Sequence, residues 1–443
     1  MSFTADQLIN FPRDLVWNYH TRSGAVTRLT PGFLPMRPVT EANSLRGGMT
    51  VFSLPGGLRW NAQHLPEGYV EGSSFRDICV NSPLRQITQW THTHNFSDDP
   101  SGGTRITDEV STRIPERLLR PAFAYRQHQL EQDLAFLARQ SSTPLTIAMT
   151  GSSGTVGSAL WALLTVAGHT IIPLVRGEAS DGERHWDMNS PAPELLHGVD
   201  VLVHLAGEPI FGRFNDSHKA KIYASRVGPT RRLAEIVASS PQVSAMISAS
   251  AIGYYGAERG DEPLDEDSAP GEDFLAHVVT DWENATAPAE RAGKRVVTVR
   301  TGIVLSGGGG MLPLLSAAIS TGLGGPFGDG RMWMSWIALD DLTDIYATAV
   351  VDSGLTGPVN AVAPHPVRNR GLVKALGREL HRPAFVPLPK FAPAVLLGRD
   401  GARELALADQ RVSNTALAAR GHFYRYPDLA GALAHELGGQ SLA

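Results

Sequence analysis

Thr150-Gly151-Ser152-Ser153-Gly154-Thr155-Val156-Gly157 follows the apolar run Leu145-Thr146-Ile147-Ala148-Met149 and precedes Ser158-Ala159-Leu160-Trp161-Ala162-Leu163-Leu164. That order predicts a strand, a glycine turn and a helix, the context in which a dinucleotide pyrophosphate rests on a helix N-terminus. The glycines at 151, 154 and 157 allow a tight turn and a close approach of backbone to phosphate. A glycine pattern alone also serves purely structural turns, and the flanking strand and helix are what make this one specific. Such a motif normally opens a domain, yet about 145 residues precede it.

Beyond the turn, apolar runs at 170–175, 201–205, 245–249 and 296–300 alternate with helical patterns. This predicts an α/β Rossmann fold with a doubly wound parallel sheet. Val175 ends the second strand and Arg176 follows it, where an acidic residue would receive the ribose hydroxyls of NAD. An arginine there suits a 2′-phosphate instead, which favours NADP(H); the alternative is a solvated surface arginine. Asp187, expected at the end of the third strand, either accepts from the adenine amine or stabilises a turn. Leu205, Ala206 and Gly207 end the fourth strand, where small residues let the backbone approach the cofactor ribose. Lys219 and Arg226, seven apart, are expected on one face of one helix, reaching cofactor phosphates or facing solvent.

The segment 1–143 reads as α+β. Strand-like runs are expected at 49–52, 59–62, 86–90 and 104–110, with a turn at Asp98-Asp99-Pro100-Ser101-Gly102-Gly103. Leu119, Phe123, Leu130, Leu134 and Leu137 then form one apolar face of a long helix. A curved antiparallel sheet around that helix fits the order. Ser141-Ser142-Thr143-Pro144 reads as a linker to a second domain, 144–443. His92 and His94, two apart, share one face of a strand. With no clear third ligand a metal site is not expected, and the pair either lines a cavity or faces solvent.

Composition sets outer limits. The 443 residues predict two or three domains, and 42% hydrophobic with 19% charged residues excludes disorder. A net charge of -5 argues against a nucleic-acid footprint and against a polybasic membrane anchor. No apolar stretch is long enough to span a bilayer, and the N-terminus has no signal-peptide pattern, so a cytoplasmic protein is expected. The single cysteine, Cys79, excludes an internal disulfide and a cysteine-built zinc site.

Several further motifs carry a resemblance. They include Leu205-Ala206-Gly207-Glu208-Pro209-Ile210, Ser225-Arg226-Val227, Ser248-Ala249-Ser250-Ala251 before Tyr255-Gly256, and Asp281-Trp282-Glu283. Arg300-Thr301-Gly302, Gly324-Gly325-Pro326, Arg331 to Ile337 and Gly421 to Pro427 continue the series. With the glycine turn they resemble the extended short-chain dehydrogenase/reductase superfamily, and within it the nucleoside-diphosphate-sugar epimerases, over about 145–440. Residues 1–143 resemble START-like helix-grip domains through Phe11-Pro12, Trp17, Thr30-Pro31, Trp90 to Phe96 and the closing helix. The resemblance implies a pyrophosphate turn of Gly151, Ser153, Gly154, Thr155 and Val156, with Val304 near the carboxamide. It implies Ser250 and Tyr255 as catalytic residues, and Tyr254, Glu208, Arg331 and Trp336 around the substrate; Arg331 and Trp336 read equally well as local structure. A C-terminal substrate lobe is expected mainly within 305–335 and 362–443.

One departure stands out. Such enzymes usually place Tyr and Lys four apart on the helix after the serine strand, the tyrosine supplying a proton. Between Gly271 and Thr286 there is neither, and the pair's places fall at Leu275 and Val279. Asp340-Asp341 reads as a helix cap rather than a catalytic dyad. The expected function is an NADP(H)-dependent epimerase or oxidoreductase acting on a sugar nucleotide or another small carbonyl or hydroxyl compound. The alternative is a catalytically weak NADPH-binding sensor or interaction protein whose N-terminal domain holds an apolar small molecule. No nucleic-acid or membrane partner is expected, and a homodimer is allowed but not required.

Overall fold

The computed structural model describes residues 2–140, 143–322 and 324–443. Ser141 and Ser142 of the expected linker lie outside the described residues. The chain divides into two compact units. One holds the described residues up to 140 with Trp161–Gly168 and Ala434–Ala443, and the other holds 143–160 with His169–Leu433.

In the first unit, β1 (Ser2–Ile9), β2 (Arg37–Thr40), β3 (Met49–Ser53), β4 (Arg59–His64), β5 (Ser74–Cys79), β6 (Thr91–Asp98) and β7 (Thr104–Ser111) form one sheet in the order β1-β7-β6-β5-β4-β3-β2. Every pairing is antiparallel. The strands bury alternate residues, as a sheet with one inward face must. Helix α1 (Arg13–Thr21) and the 24-residue helix α2 (Glu116–Arg139) supply the rest of the core. Trp17 meets Phe75 and Phe96 edge-on at 6.0 and 5.4 Å. Asp133 on α2 is fully buried and saturated with donors: Tyr19 Oη at 2.6 Å, Arg28 Nε and Nη2 at 2.9 and 2.6 Å, and Gln129 Nε2 at 2.9 Å. The 86–90 run is not a strand: Leu84–Thr88 is a short helix that ends at Gln89 in the left-handed region.

In the second unit, β8 (Thr146–Thr150), β9 (Thr170–Val175), β10 (Arg184–His185), β11 (Val201–His204), β12 (Ala245–Ala251), β13 (Arg295–Thr301) and β14 (Gly357–Ala361) form a parallel sheet in the order β10-β9-β8-β11-β12-β13-β14. Strand order reverses between β8 and β11, the topological switch point at which open α/β sheets bind ligands. Helices α3 (Thr155–Val166), α4 (Asp216–Ala224), α5 (Val227–Ser239), α6 (Phe274–Asn284) and α7 (Leu339–Val351) accompany it. The near-continuous apolar strands are those of a sheet covered on both faces; Leu202, Leu233, Val237 and Met246 are completely buried together. Residues Glu258–Leu264 pair in parallel with Asp409–Val412 outside the main sheet. Among the described residues, no helix is long and apolar enough to cross a membrane.

Candidate functional site

The glycine turn sits at the C-terminal end of β8 and opens α3. Each glycine has its own reason. Gly151 has φ +71°, and a side chain there would press on the Leu205 carbonyl carbon and the Ala206 nitrogen at 2.9 Å. A Cβ on Gly157 would lie 2.0 Å from the Gly151 oxygen, so only hydrogen fits. Gly154 is different: its Cβ would meet only the Gly151 oxygen, at 3.4 Å. Ser153, Gly154 and Thr155 are exposed at the start of α3, where the first-turn amides have no helical acceptor.

The adjoining strand end is locked to this turn. Thr150 Oγ1 accepts from the Leu205 and Ala206 amides at 3.1 and 3.2 Å and lies 2.7 Å from His204 Nδ1. His204 Nε2 is 3.0 Å from Thr230 Oγ1, and burial pushes its pKa down to about 4, so the imidazole is neutral. The sequence reading missed a second glycine segment: a Cβ on Gly309 would lie 2.7 Å from Thr155 Oγ1. Its signal was present in the run Gly307-Gly308-Gly309-Gly310. Val304 is half-buried on the strand just before it.

Arg176 is exposed just past β9, and among the described residues it makes no hydrogen bond or ion pair. Asp187 is exposed two residues beyond β10, its carboxylate accepting the Asn189 amide at 2.8 Å. Lys219 and Arg226 do not share a helix face. Lys219 lies on α4, which ends at Ala224 with Ser225 as its cap, and Arg226 is the cap residue before α5. Arg226 is buried beneath Gly207 and donates to the Glu208 carbonyl at 3.0 Å and the Ile222 carbonyl at 3.2 Å. Burial brings its pKa down to about 10. It braces the Leu205–Gly207 backbone and is not a free cation for a phosphate. Lys219 is ion-paired with Asp400.

At the end of β12 the structure draws together a polar set that the sequence reading saw only in part. Ser250 Oγ donates to Glu283 Oε1 at 2.6 Å, and Arg300 grips both oxygens of Glu283 at 2.8 Å. Arg300 also lies over the Tyr254 ring, 3.5 Å from its centroid. Tyr255 is not placed as a substrate acid. It is completely buried, donates to Asn360 Oδ1 at 2.7 Å and receives Arg300 Nη1 at 3.1 Å, and burial pushes its pKa up to about 12. Leu275 and Val279, in the places of the usual Tyr and Lys, are buried against Gly253. Trp336 is also a core residue, fully buried with its Nε1 donating to the His365 carbonyl at 3.0 Å. Half-buried Glu208 donates its backbone amide to Ser225 Oγ at 3.0 Å. Arg331 does reach open space, lining a cavity of about 510 Å³ with Lys390, Arg399 and Arg403. Asp340 and Asp341 are not the N-cap, which is Ala338; they lie in the buried first turn of α7.

In the first unit, His92 and His94 point inward, and the fold supplies the third group that the sequence reading lacked. Asp77 on β5 stands opposite His92, and all three line a cavity of about 360 Å³.

A switch-point glycine turn in a doubly wound parallel sheet defines a Rossmann-type dinucleotide fold. Residues 147–360 match the NAD dependent epimerase/dehydratase family, and residues 388–436 match a domain of unknown function, DUF1731. An epimerase family protein of Mycobacterium bovis is 40% identical over 293 residues, which are 65% of this chain and 96% of that protein. The chain belongs to the epimerase family. A crystal structure of a nucleoside-diphosphate sugar epimerase from Corynebacterium glutamicum is 53% identical, with a TM-score of 0.90 over 100% of this chain and 91% of that one. The human epimerase family protein SDR39U1, solved with NADPH, is 31% identical, with a TM-score of 0.61 over 66% of this chain and 99% of that one.

Proposed function

We propose that this chain is a cytoplasmic NADP(H)-dependent epimerase or oxidoreductase acting on a sugar nucleotide or a related small carbonyl or hydroxyl compound. The observation that carries it is the glycine turn: the backbone excludes side chains at 151 and 157 but leaves Gly154 open at the exposed start of α3. Gly151, Ser153, Gly154, Thr155 and Val156 hold the pyrophosphate, and Leu205–Gly207 and Val304 flank the nicotinamide half. Asp187 faces the adenine. Arg176, unpaired and exposed, takes the 2′-phosphate. When bound, the nicotinamide supplies or takes the hydride. Ser250 orients the substrate oxygen, and Glu283, ion-paired with Arg300 and hydrogen-bonded by Ser250 Oγ, receives the Ser250 proton. Arg331, with Lys390 and Arg399 beside it, offers a diphosphate site in a C-terminal lobe, in a cavity whose wall also carries Glu258, Asp329 and Asp409.

A second reading has one observation in its favour. With Leu275 and Val279 where Tyr and Lys belong and Tyr255 locked in the core, the chain has no conventional proton donor. An NADPH-binding sensor with little turnover fits that arrangement. The first unit, read as a helix-grip domain of START-like type, then holds an apolar small molecule in its 360 Å³ cavity.

Titration of the protein with NADPH and NADH tests the cofactor assignment. NADPH is expected to bind at least tenfold more tightly, and Arg176→Ala to erase that margin without weakening NADH, a loss of about 1.4 kcal/mol or more. Equal affinities in the parent protein would refute the role of Arg176. Tight NADPH binding without turnover on any sugar nucleotide or carbonyl compound would select the sensor.

A further inference from the structure

The inner face of the first sheet is built for an apolar core, with Phe75, Phe96, Ile106, Val110 and Trp60 turned inward. Interspersed on the same face, at the same alternation, are His64, Asp77, His92, His94 and Asp108, each less than a tenth exposed. Ladder register sets them side by side: His64 opposite Asp77 and Asp77 opposite His92, with His94 opposite Asp108. Buried charge of this density is costly unless it is compensated, and it adds nothing that apolar side chains would not do better for stability.

The two carboxylates divide the imidazole nitrogens between them. Asp108 Oδ1 lies 3.0 Å from His92 Nε2 and 2.7 Å from His94 Nδ1. The opposite nitrogens, His92 Nδ1 and His94 Nε2, both face Asp77 Oδ2, at 3.6 and 3.9 Å. Those two separations are too long for hydrogen bonds. They are close to the edge of a tetrahedron around a metal bonded at about 2.0–2.2 Å, which is roughly 3.4 Å. Asp77, His92 and His94 line the cavity, whereas Asp108 lies behind the imidazoles and outside that lining. A carboxylate on the far nitrogen of each metal-binding histidine is the usual outer support of such a site. His64, beside Asp77, has a buried Nδ1 with no hydrogen-bond partner among the described residues.

We propose that Asp77, His92 and His94 form a divalent transition-metal site in the first unit, oriented by Asp108 and open toward the apolar cavity. Two histidines and one carboxylate leave at least one coordination position for water, His64 or an oxygen donor of a cavity ligand. A divalent ion offsets the two carboxylates with both imidazoles neutral, and Arg126 on the same cavity wall adds one positive charge.

The test uses the full chain, freed of metal with a chelator and titrated with Co²⁺ alone. One equivalent is expected to bind and to give the visible absorption of cobalt held by nitrogen and oxygen ligands, displaced by one equivalent of Zn²⁺. His92→Ala with His94→Ala is expected to abolish the band. Asp108→Asn keeps every ligand, so it is expected to retain the band but weaken binding about 10- to 100-fold. No saturable cobalt band in the parent protein overturns the proposal without recourse to any variant. So does a band that survives the double histidine substitution in a chain whose far-ultraviolet circular dichroism is unchanged.

Discussion

Tyr255 shows how far a residue's role depends on what surrounds it. In the sequence it stands beside a serine strand, in the place of a family signature. In the fold it joins Asn360 to Arg300 inside the core. Tyr255→Phe therefore deprives Asn360 of a donor and Arg300 of an acceptor, and is expected to cost about 1–2 kcal/mol in urea denaturation while leaving NADPH affinity unchanged. Unaltered stability together with lost turnover would return the tyrosine to catalysis. The difference was not legible because Asn360 is 105 residues away, and only the β13–β14 ladder brings it near. The place of Arg176 just past β9 was legible for the opposite reason: it follows from counting along one strand–turn–helix unit. Arg226 and Trp336 lie between these cases: Arg226 turns to the Ile222 and Glu208 carbonyls, 4 and 18 residues away, and Trp336 to the His365 carbonyl, 29 residues away.

At the scale of the element, the strand–turn–helix unit was read correctly because every part of its signal is local. The run Gln86–Trp90 was not; its β-branched and aromatic residues suggest a strand, but the fold closes Leu84–Thr88 as a short helix. The turn also yields a paired prediction. Gly157→Ala places a methyl 2.0 Å from a backbone oxygen, a clash that no side-chain rotation relieves, and is expected to lower the thermal midpoint by more than 5 °C. Gly154→Ala meets nothing closer than 3.4 Å and is expected to leave the free protein's midpoint within about 2 °C. On the proposed placing of the pyrophosphate against this turn, its methyl should nevertheless weaken NADPH at least tenfold. Differential scanning fluorimetry with and without NADPH separates the two effects. If Gly154→Ala binds NADPH normally, the pyrophosphate does not lie against this turn. The same reasoning explains why His92 and His94 looked unremarkable: the third group, Asp77, comes from a neighbouring strand and is 15 residues distant from His92 in sequence.

At the scale of the whole molecule, buried titratable groups shape how stability follows pH. Asp341 is completely buried in α7, where its oxygens accept the Arg425 and Tyr426 amides at 2.6 and 3.1 Å. Burial, and then the Asp344 charge, raises its pKa to about 7. An acid with a raised pKa contributes stability that is complete below the unfolded value near 3.8 and is lost as pH rises through about 7. His204 in the same unit works the other way. Its pKa falls from 6.5 to about 4, so its contribution is complete above 6.5 and is lost as pH drops through about 4. Between about pH 4.5 and 6.5 the two slopes oppose each other, each about 1.4 kcal/mol per pH unit. Asp341→Asn removes one of them. The variant's unfolding free energy is therefore expected to climb with pH over that window about 1.4 kcal/mol per unit more steeply than the parent's, whatever the substitution does to absolute stability. Urea unfolding at half-unit steps from pH 5 to 6.5 measures the two slopes. Parallel curves would mean that Asp341 ionises in the folded protein as an ordinary carboxylate does, and that the α7 first turn is wetter than its packing implies.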